Sequence, residues 1–546
     1  MNDLKESLRP VFGGEIIDDK KSLEAYGNDA SIFEIIPTLA LKPKNPQDIK
    51  NIVCFISEHK KENPTLSLTP RAAGTGMAGG ALTSSLVLDM KNLNAIKEVT
   101  DDYAILEPGV FYRDLEKATL VRNRIMPSYP ASKDLCAVGG MVGTNASGEK
   151  TLTYGSTERY VQNLKVVLAD GNEYSFGPLN KNELDEKMKL ATFEGEIYRK
   201  LYTLIEENYE EIKSAKPKVS KNSTGYALWN VWDRKTFDLT KLFTGSEGTL
   251  GITTEITFKL IKPKNESALL VLFIKDLFTL PAIVNKVLEH KPESLESFDD
   301  NTFKFAIRFF PDIVKSLKAG IVSLGISFLP EFLMVLTGGV PKLILLAEFT
   351  GDNKDEVVER ARVAQKDMEQ FGIKTHFAKT DADAKKYWTI RHESFNLLRK
   401  HGSGKRTAPF IDDIIVAPEH LPEFLPRLTK ILEGYGLLYT IAGHIGDGNL
   451  HIIPLMNLRK KIERDTIIEL EQKVFDLVFE FKGSMSAEHN DGLIRTPFLK
   501  QMYGEKIYKL FEETKNIFDP QNIFNPGKKV YGNTLNFIKE HIDKVY

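Results

Sequence analysis

The stretch Leu66-Ser67-Leu68-Thr69-Pro70-Arg71-Ala72-Ala73-Gly74-Thr75-Gly76-Met77-Ala78-Gly79-Gly80 runs from a β-prone segment straight into a glycine-rich loop. It contains the literal pattern G-x-G-x-x-G. A dinucleotide-binding Rossmann unit needs a helix directly after those glycines and an acidic residue about 20 positions further on. Here Ser85 to Met90 reads as a second strand, and the next acid, Asp89, comes too early. The pattern therefore argues against Rossmann. The glycines still need a cause: several together let backbone N–H groups converge on an anion, as a phosphate-bearing cofactor offers. A plain turn between strands fits the same residues.

Upstream, 4–36 reads as short helices and a connector. Pro43-Lys44-Asn45-Pro46-Gln47-Asp48 then opens a helix with apolar positions at Ile49, Val53 and Ile56, Asn45 serving as cap and Pro46 in the first turn. Downstream, 103–110 reads as a strand ending in Pro108-Gly109, followed by an amphipathic helix from Phe111 to about Arg122. Small residues then crowd Pro127-Ser128-Tyr129-Pro130-Ala131-Ser132 and Val138-Gly139-Gly140-Met141-Val142-Gly143-Thr144-Asn145-Ala146-Ser147-Gly148, which suits close approach by a large flat ligand. A hairpin is expected over Asp170-Gly171. A third cluster, Gly245-Ser246-Glu247-Gly248-Thr249-Leu250-Gly251-Ile252, feeds a strand at 253–260.

At 546 residues, 42% hydrophobic and 27% charged, the chain has the composition of a globular protein of two or more domains. A net charge of −2 gives no overall field for nucleic acid, so none is expected as a partner. Cys54 and Cys136 are the only cysteines, too few for a disulfide framework or an all-cysteine iron–sulfur cluster. The opening Met1-Asn2-Asp3-Leu4-Lys5-Glu6 has no apolar signal region, so the expected location is cytoplasmic.

The second half carries Ala442-Gly443-His444-Ile445-Gly446-Asp447-Gly448-Asn449-Leu450-His451 and, later, Ser486-Ala487-Glu488-His489-Asn490-Asp491-Gly492. The first reads as a hairpin over Asp447-Gly448 with a histidine at each rim. Two imidazoles and the Glu488 carboxylate form a three-ligand set for zinc or a similar divalent ion, leaving His489 free as a base. The plainer reading, loop histidines beside a turn, loses ground to the second stretch.

The three glycine segments, 70–82, 130–155 and 245–252, together resemble the FAD-binding domain of the vanillyl-alcohol-oxidase type flavoproteins, and the two histidine stretches resemble that superfamily's FAD-linked oxidase C-terminal domain. Within it the chain is similar to the D-2-hydroxyacid dehydrogenases, the group acting on D-lactate, D-2-hydroxyglutarate and glycolate. The likeness covers about 36–528, including the closing Phe518-Asp519-Pro520-Gln521-Asn522-Ile523-Phe524-Asn525-Pro526-Gly527-Lys528.

The resemblance implies an α+β protein: an N-terminal helical segment (1–35), a two-subdomain FAD-binding domain (36–262), a substrate and metal domain with a central antiparallel sheet and a C-terminal helical segment (263–528), and a tail (529–546). It places the FAD pyrophosphate on Arg71, Ala72, Ala73, Gly74, Thr75, Gly76 and Met77. It assigns Pro130, Ser132, Gly139, Gly140, Gly143, Asn145, Gly148 and Gly155 to the same cofactor, with Gly245, Glu247, Gly248, Ile252 and Asn525 closing around it. The pyrophosphate loop has no histidine or cysteine for covalent attachment, so noncovalent FAD is implied, Cys136 being the residue that leaves attachment open. His444, His451 and Glu488 become metal ligands, zinc first, with His489 as base and Arg391 holding the substrate carboxylate, for which a guanidinium fork is suited. Lys405-Arg406 is a second candidate cation.

The implied reaction oxidises a D-2-hydroxy acid to the 2-oxo acid, with a quinone, an electron-transfer flavoprotein or a cytochrome as acceptor and a homodimer as one assembly. Two rivals are an ether-lipid-synthase-like flavin transferase, whose run of adjacent histidines is missing here, and a non-catalytic electron-relay subunit. The apolar stretch 319–346 is broken by Pro330 and Gly338-Gly339 into pieces too short to span a membrane. Buried core is one reading of it. An apolar hairpin touching a partner or the inner face of the membrane is the other.

Overall fold

The computed structural model describes residues 2–302, 304, 340–400, 404–532 and 534–544. Two small sheets and one large one organise them. The first orders Glu15–Ile17, Leu39–Lys42, Leu86–Asp89 and Leu68–Arg71, the last three mutually parallel. Helix Pro46–His59 covers it, burying Ile49, Ile52, Val53 and Ile56, and Asn45 caps it by accepting from the Asp48 N–H at 3.1 Å. No helix follows the first glycine loop: the chain goes from Leu68–Arg71 through turns into the parallel strand Leu86–Asp89, as the rejection of a Rossmann unit requires.

The second sheet is antiparallel, ordered Ile96–Val99, Tyr103–Leu106, Ile252–Lys259, Val161–Val167 and Glu173–Phe176. The expected hairpin over Asp170-Gly171 is present, with Gly171 left-handed at φ 75°. Helix Tyr112–Leu120 agrees with the amphipathic pattern. The small-residue run 138–144 folds as helix Val138–Thr144, burying Val138, Met141 and Val142. Helix Leu499–Phe518, far along the chain, returns to this core with Ile507, Leu510, Phe511 and Phe518.

The large sheet is antiparallel. Among the described residues its path runs Lys374–Phe377, Glu266–Ile274, Leu343–Gly351, Ser294–Asp299, Leu438–Gly443, Asn449–Met456 and Arg406–Thr407, with Ile414–Ile415 pairing off it. Period-two alternation separates its faces. Leu270, Leu295, Leu345, Leu450 and Ile452 pack on helices Leu280–Glu289, Lys354–Asp367, Leu421–Glu433 and Lys461–Glu480. Glu296, Thr440, Ala442, His451 and Ile453 alternate with them and fall on the opposite face. Of the apolar stretch 319–346, residues 319–339 lie outside the described residues, and 343–346 are buried in strand Leu343–Gly351. No described helix is long and apolar enough to cross a membrane.

Asn525 laces these parts together. Its amide donates to Gly80 O at 2.9 Å and Glu247 O at 2.7 Å, its side-chain oxygen accepts from Thr69 Oγ1 at 3.1 Å, and its backbone is left-handed at φ 41°. Replacing it strands buried carbonyls of the first and third glycine clusters, at a cost of about 1–3 kcal/mol. Asn525→Ala should therefore lower the melting temperature and the FAD content of purified protein together; unchanged melting would contradict this role.

Candidate functional site

The strands Leu438–Gly443 and Asn449–Met456 form the expected hairpin, with Ile445–Asp447 as a short 3-10 turn closed by Gly448 at φ 75°. His444 follows the first strand directly. His451, third in the second strand, pairs with Ala442 across the ladder. Both rings therefore leave the hairpin on the face away from the covering helices.

Glu488 and His489 sit on an irregular segment that needs external support, and two buried groups give it. Asp413 Oδ2 accepts from Ser486 Oγ at 2.6 Å, from the Glu488 N–H at 2.9 Å and from the His489 N–H at 2.7 Å. The fully buried Arg495 donates to Met485 O at 3.1 Å, Asn490 O at 2.8 Å and Asp412 O at 2.7 Å, tying this segment to the one carrying Asp412.

Three imidazoles converge on one oxygen. Glu488 Oε1 lies 3.3 Å from His444 Nε2, 3.2 Å from His451 Nε2 and 3.8 Å from His489 Nε2. Behind the rings are carboxylates. Glu296 Oε1 is 2.6 Å from His444 Nδ1, Asp412 Oδ1 is 3.0 Å from His451 Nδ1, and Asp412 Oδ2 is 3.0 Å from His489 Nδ1, the last contact off the axis of a hydrogen bond. An ionised carboxylate only accepts, so the Nδ1–H groups of His444 and His451 donate to it and their Nε2 atoms face Glu488. Imidazole nitrogens and a carboxylate facing one another need a positive charge between them, a proton or a cation. Such a donor set, with carboxylates behind the rings, could hold a divalent ion.

The electrostatics express the same demand. Burial disfavours a charged His451, yet Asp412 and Glu488 more than offset it and raise the ring to about 10. Burial would raise Glu488, but Lys221 and His444 pull it well below the usual carboxylate range. Lys221, itself buried, stands 3.2 Å from Glu488 Oε2, and Ser147 Oγ donates to the same oxygen at 3.0 Å. Asp413, His451, Glu488 and His489 also cluster closely enough to share an ion. Asp413 is a poor ligand, because Oδ2 already takes three donors and Oδ1 takes Asn449 Nδ2 at 3.1 Å.

This cluster closes one end of a cavity of about 710 Å³. Of the residues the sequence assigned to a cofactor, the cavity is lined by Ala72, Ala73, Gly74, Thr75, Gly76, Met77, Pro130, Ser132, Gly139, Gly140, Gly143, Glu247, Gly248 and Ile252. A Cβ on Gly76 or Gly143 would meet nothing within 4 Å, so both face the open volume and the cradle fits a large planar group. Arg71, Asn145, Gly148, Gly155, Gly245 and Asn525 stand behind it. The Arg71 guanidinium donates to Tyr26 O and Asn28 O, and Asn145 caps helix Val138–Thr144 in a left-handed conformation while accepting from the Glu158 N–H. Gly148 lies against Tyr129 O, and Gly155 and Gly245 take positive φ.

Arg391, from helix Asp381–Lys400, reaches the cavity with Nη2 3.1 Å from Glu296 Oε2, so one carboxylate holds both Arg391 and His444. Arg406 is instead bound to Asp543 and to Ser31 O, and does not line the cavity. Cys136 does line it, and burial pushes its thiol up to about 12, which keeps it protonated and unreactive. Sequence reasoning missed Glu296, Asp412, Asp413, Lys221 and Arg495. For Asp412 and Asp413 the one signal is charge within an otherwise apolar run, Phe410-Ile411-Asp412-Asp413-Ile414-Ile415; Glu296, Lys221 and Arg495 carry no such local signal.

Asp412→Asn would remove a carboxylate shared by His451 and His489, and zinc affinity should fall by about 10–100-fold with FAD retained; an unchanged zinc isotherm would remove Asp412 from the site. A zinc ion at this cluster would have to displace the proton that His451 holds, so its affinity should weaken as pH falls through the neutral range. A pH-independent isotherm would contradict that competition.

Comparison with known proteins accounts for both halves of the chain. A FAD binding domain model covers residues 37–177, and a model for the C-terminal domain of FAD linked oxidases covers 262–529. D-2-hydroxyglutarate dehydrogenase of Pseudomonas putida is 28% identical over 535 residues, 96% of this chain and 51% of its own length. The chain thus spans about half the length of that relative. Glycolate oxidase subunit GlcD of Bacillus subtilis is 27% identical with 96% of each chain covered, and D-lactate dehydrogenase of Archaeoglobus fulgidus is 26% identical with 93% and 96% covered. Among solved structures, p-cresol methylhydroxylase (TM-score 0.67, 16% identity, 98% and 97% covered) and alkyldihydroxyacetonephosphate synthase (0.64, 15%, 97% and 85%) share the fold. With both domain models matched in order, and the glycine cradle and the histidine cluster lining one cavity, the chain belongs to the FAD-linked oxidase family.

Proposed function

We propose that the protein is an FAD- and divalent-metal-dependent dehydrogenase of D-2-hydroxy acids, yielding the 2-oxo acid. The observation that carries this is the convergence of three imidazole Nε2 atoms on Glu488 Oε1 at the end of a glycine-lined cavity. The relatives named D-2-hydroxyglutarate dehydrogenase, D-lactate dehydrogenase and glycolate oxidase subunit support the reaction class.

In this reading His444, His451 and Glu488 hold the ion, and the ligands match zinc. When bound, the ion supplies positive charge to the substrate's oxygens and FAD accepts the hydride from the α-carbon. Arg391 fixes the substrate carboxylate with its guanidinium fork. His489, oriented by Asp412, takes the hydroxyl proton at its imidazole. The buried walls exclude bulk water from that transfer. The electrons then leave to a quinone, an electron-transfer flavoprotein or a cytochrome.

Anaerobic mixing with D-2-hydroxy acids should bleach the bound flavin, and the 2-oxo acid should accumulate when an artificial acceptor is added; dithionite bleaching without bleaching by any hydroxy acid would overturn the reading. His489→Ala should keep metal and FAD near wild-type stoichiometry while turnover falls by ~10²–10⁴. The wild type should lose kcat/KM as pH falls and His489 takes up a proton, a limb that the variant lacks. The FAD is noncovalent in this reading, since the one cysteine lining the cavity is a buried thiol. Acid precipitation should leave a yellow supernatant, and flavin remaining on the denatured chain would contradict it.

A further inference from the structure

Arg391 is the only lysine or arginine among the described lining residues of the cavity. It is already matched by Glu296 at 3.1 Å, and its neighbour His392 is matched by Glu149 at 2.9 Å. Another part of the lining comes from the hairpin that carries the histidines. One ladder step beyond the Ala442–His451 pair on the same face is the pair Thr440–Ile453, and all four side chains line the cavity. Thr440 and Ile453 are 4% and 9% exposed, so a group placed against them is shielded from water.

The geometry points to a substrate with one carboxylate and a short, uncharged, apolar tail, the tail lying against Thr440, Ala442 and Ile453. This inference rests on the proposed hydroxy-acid reaction and narrows it. A single guanidinium can anchor one carboxylate bidentately. Among the described lining residues, the second carboxylate of a dicarboxylate would meet the Thr440, Ala442 and Ile453 wall or the Glu488 carboxylate, and an unpaired buried charge is strongly disfavoured. An apolar tail gains from the same wall by leaving water.

The test is anaerobic flavin reduction of the FAD- and zinc-loaded full chain by glycolate, D-lactate, D-2-hydroxybutyrate, D-malate and D-2-hydroxyglutarate. D-Lactate or D-2-hydroxybutyrate should exceed both dicarboxylates in kcat/KM by about 10² or more, and glycolate, which has no tail, should fall about tenfold below D-lactate. Dicarboxylates equal to or better than D-lactate would overturn the inference and leave the hydroxy-acid reaction standing. Flavin reduced by dithionite but by none of the acids would overturn both. Ile453→Arg, or Thr440→Lys if the first variant loses FAD, should shift the dicarboxylate-to-monocarboxylate ratio by at least about tenfold toward the dicarboxylates. An unchanged ratio in a folded, FAD-containing variant would remove this wall from the tail-binding site.

Discussion

The structure turns on one carboxylate oxygen. Glu488 Oε1 faces the Nε2 atoms of His444, His451 and His489 in a buried pocket, an arrangement stable only with positive charge at its centre. What surrounds it supports that oxygen. Lys221 and Ser147 come from the first half of the chain, Asp412 and Asp413 from the connection before Ile414–Ile415, Glu296 from the large sheet, and Arg495 from the turn after the motif. The histidine cluster is therefore also a joint between the flavin-cradling half and the large sheet.

The cavity joins two kinds of chemistry for this reason. Glycine clusters on the first two sheets leave open volume, and the large sheet presents a polar face to it because its other face is spent on the helices. Glu296 links the histidine cluster to Arg391, since its two oxygens take His444 and Arg391 separately. A change at either partner alters the charge felt by the other.

Much of this was legible in the sequence, because the signals are local. The Rossmann unit was excluded by the strand following the glycine loop, and Leu68–Arg71 and Leu86–Asp89 do pair in parallel without an intervening helix. The histidine hairpin was written in its Asp447-Gly448 turn and flanking apolar residues. Helix Val138–Thr144 was not legible: three of its seven residues are glycines, poor helix formers, and it forms because Val138, Met141 and Val142 are held in the core. Glu296 and Asp412 were hidden for another reason. Glu296 is an acid in a buried strand and Asp412 an acid in the turn before Ile414–Ile415, and the partner of each lies far along the chain, 148 positions for Glu296 with His444 and 39 for Asp412 with His451, a pairing no local pattern records. The resemblance assigned Asn145 and Asn525 to the cofactor, and their side chains hydrogen-bond within the protein, to the Glu158 N–H and to Gly80 O and Glu247 O.

The most direct test is where an ion binds. An anomalous difference map at the zinc edge, from crystals of the zinc-loaded full chain, should show one peak within bonding distance of His444 Nε2, His451 Nε2 and Glu488 Oε1, with His489 outside the coordination sphere. A peak bonded to His489 and Asp413 in place of His444, or no peak in the cluster, would contradict the account.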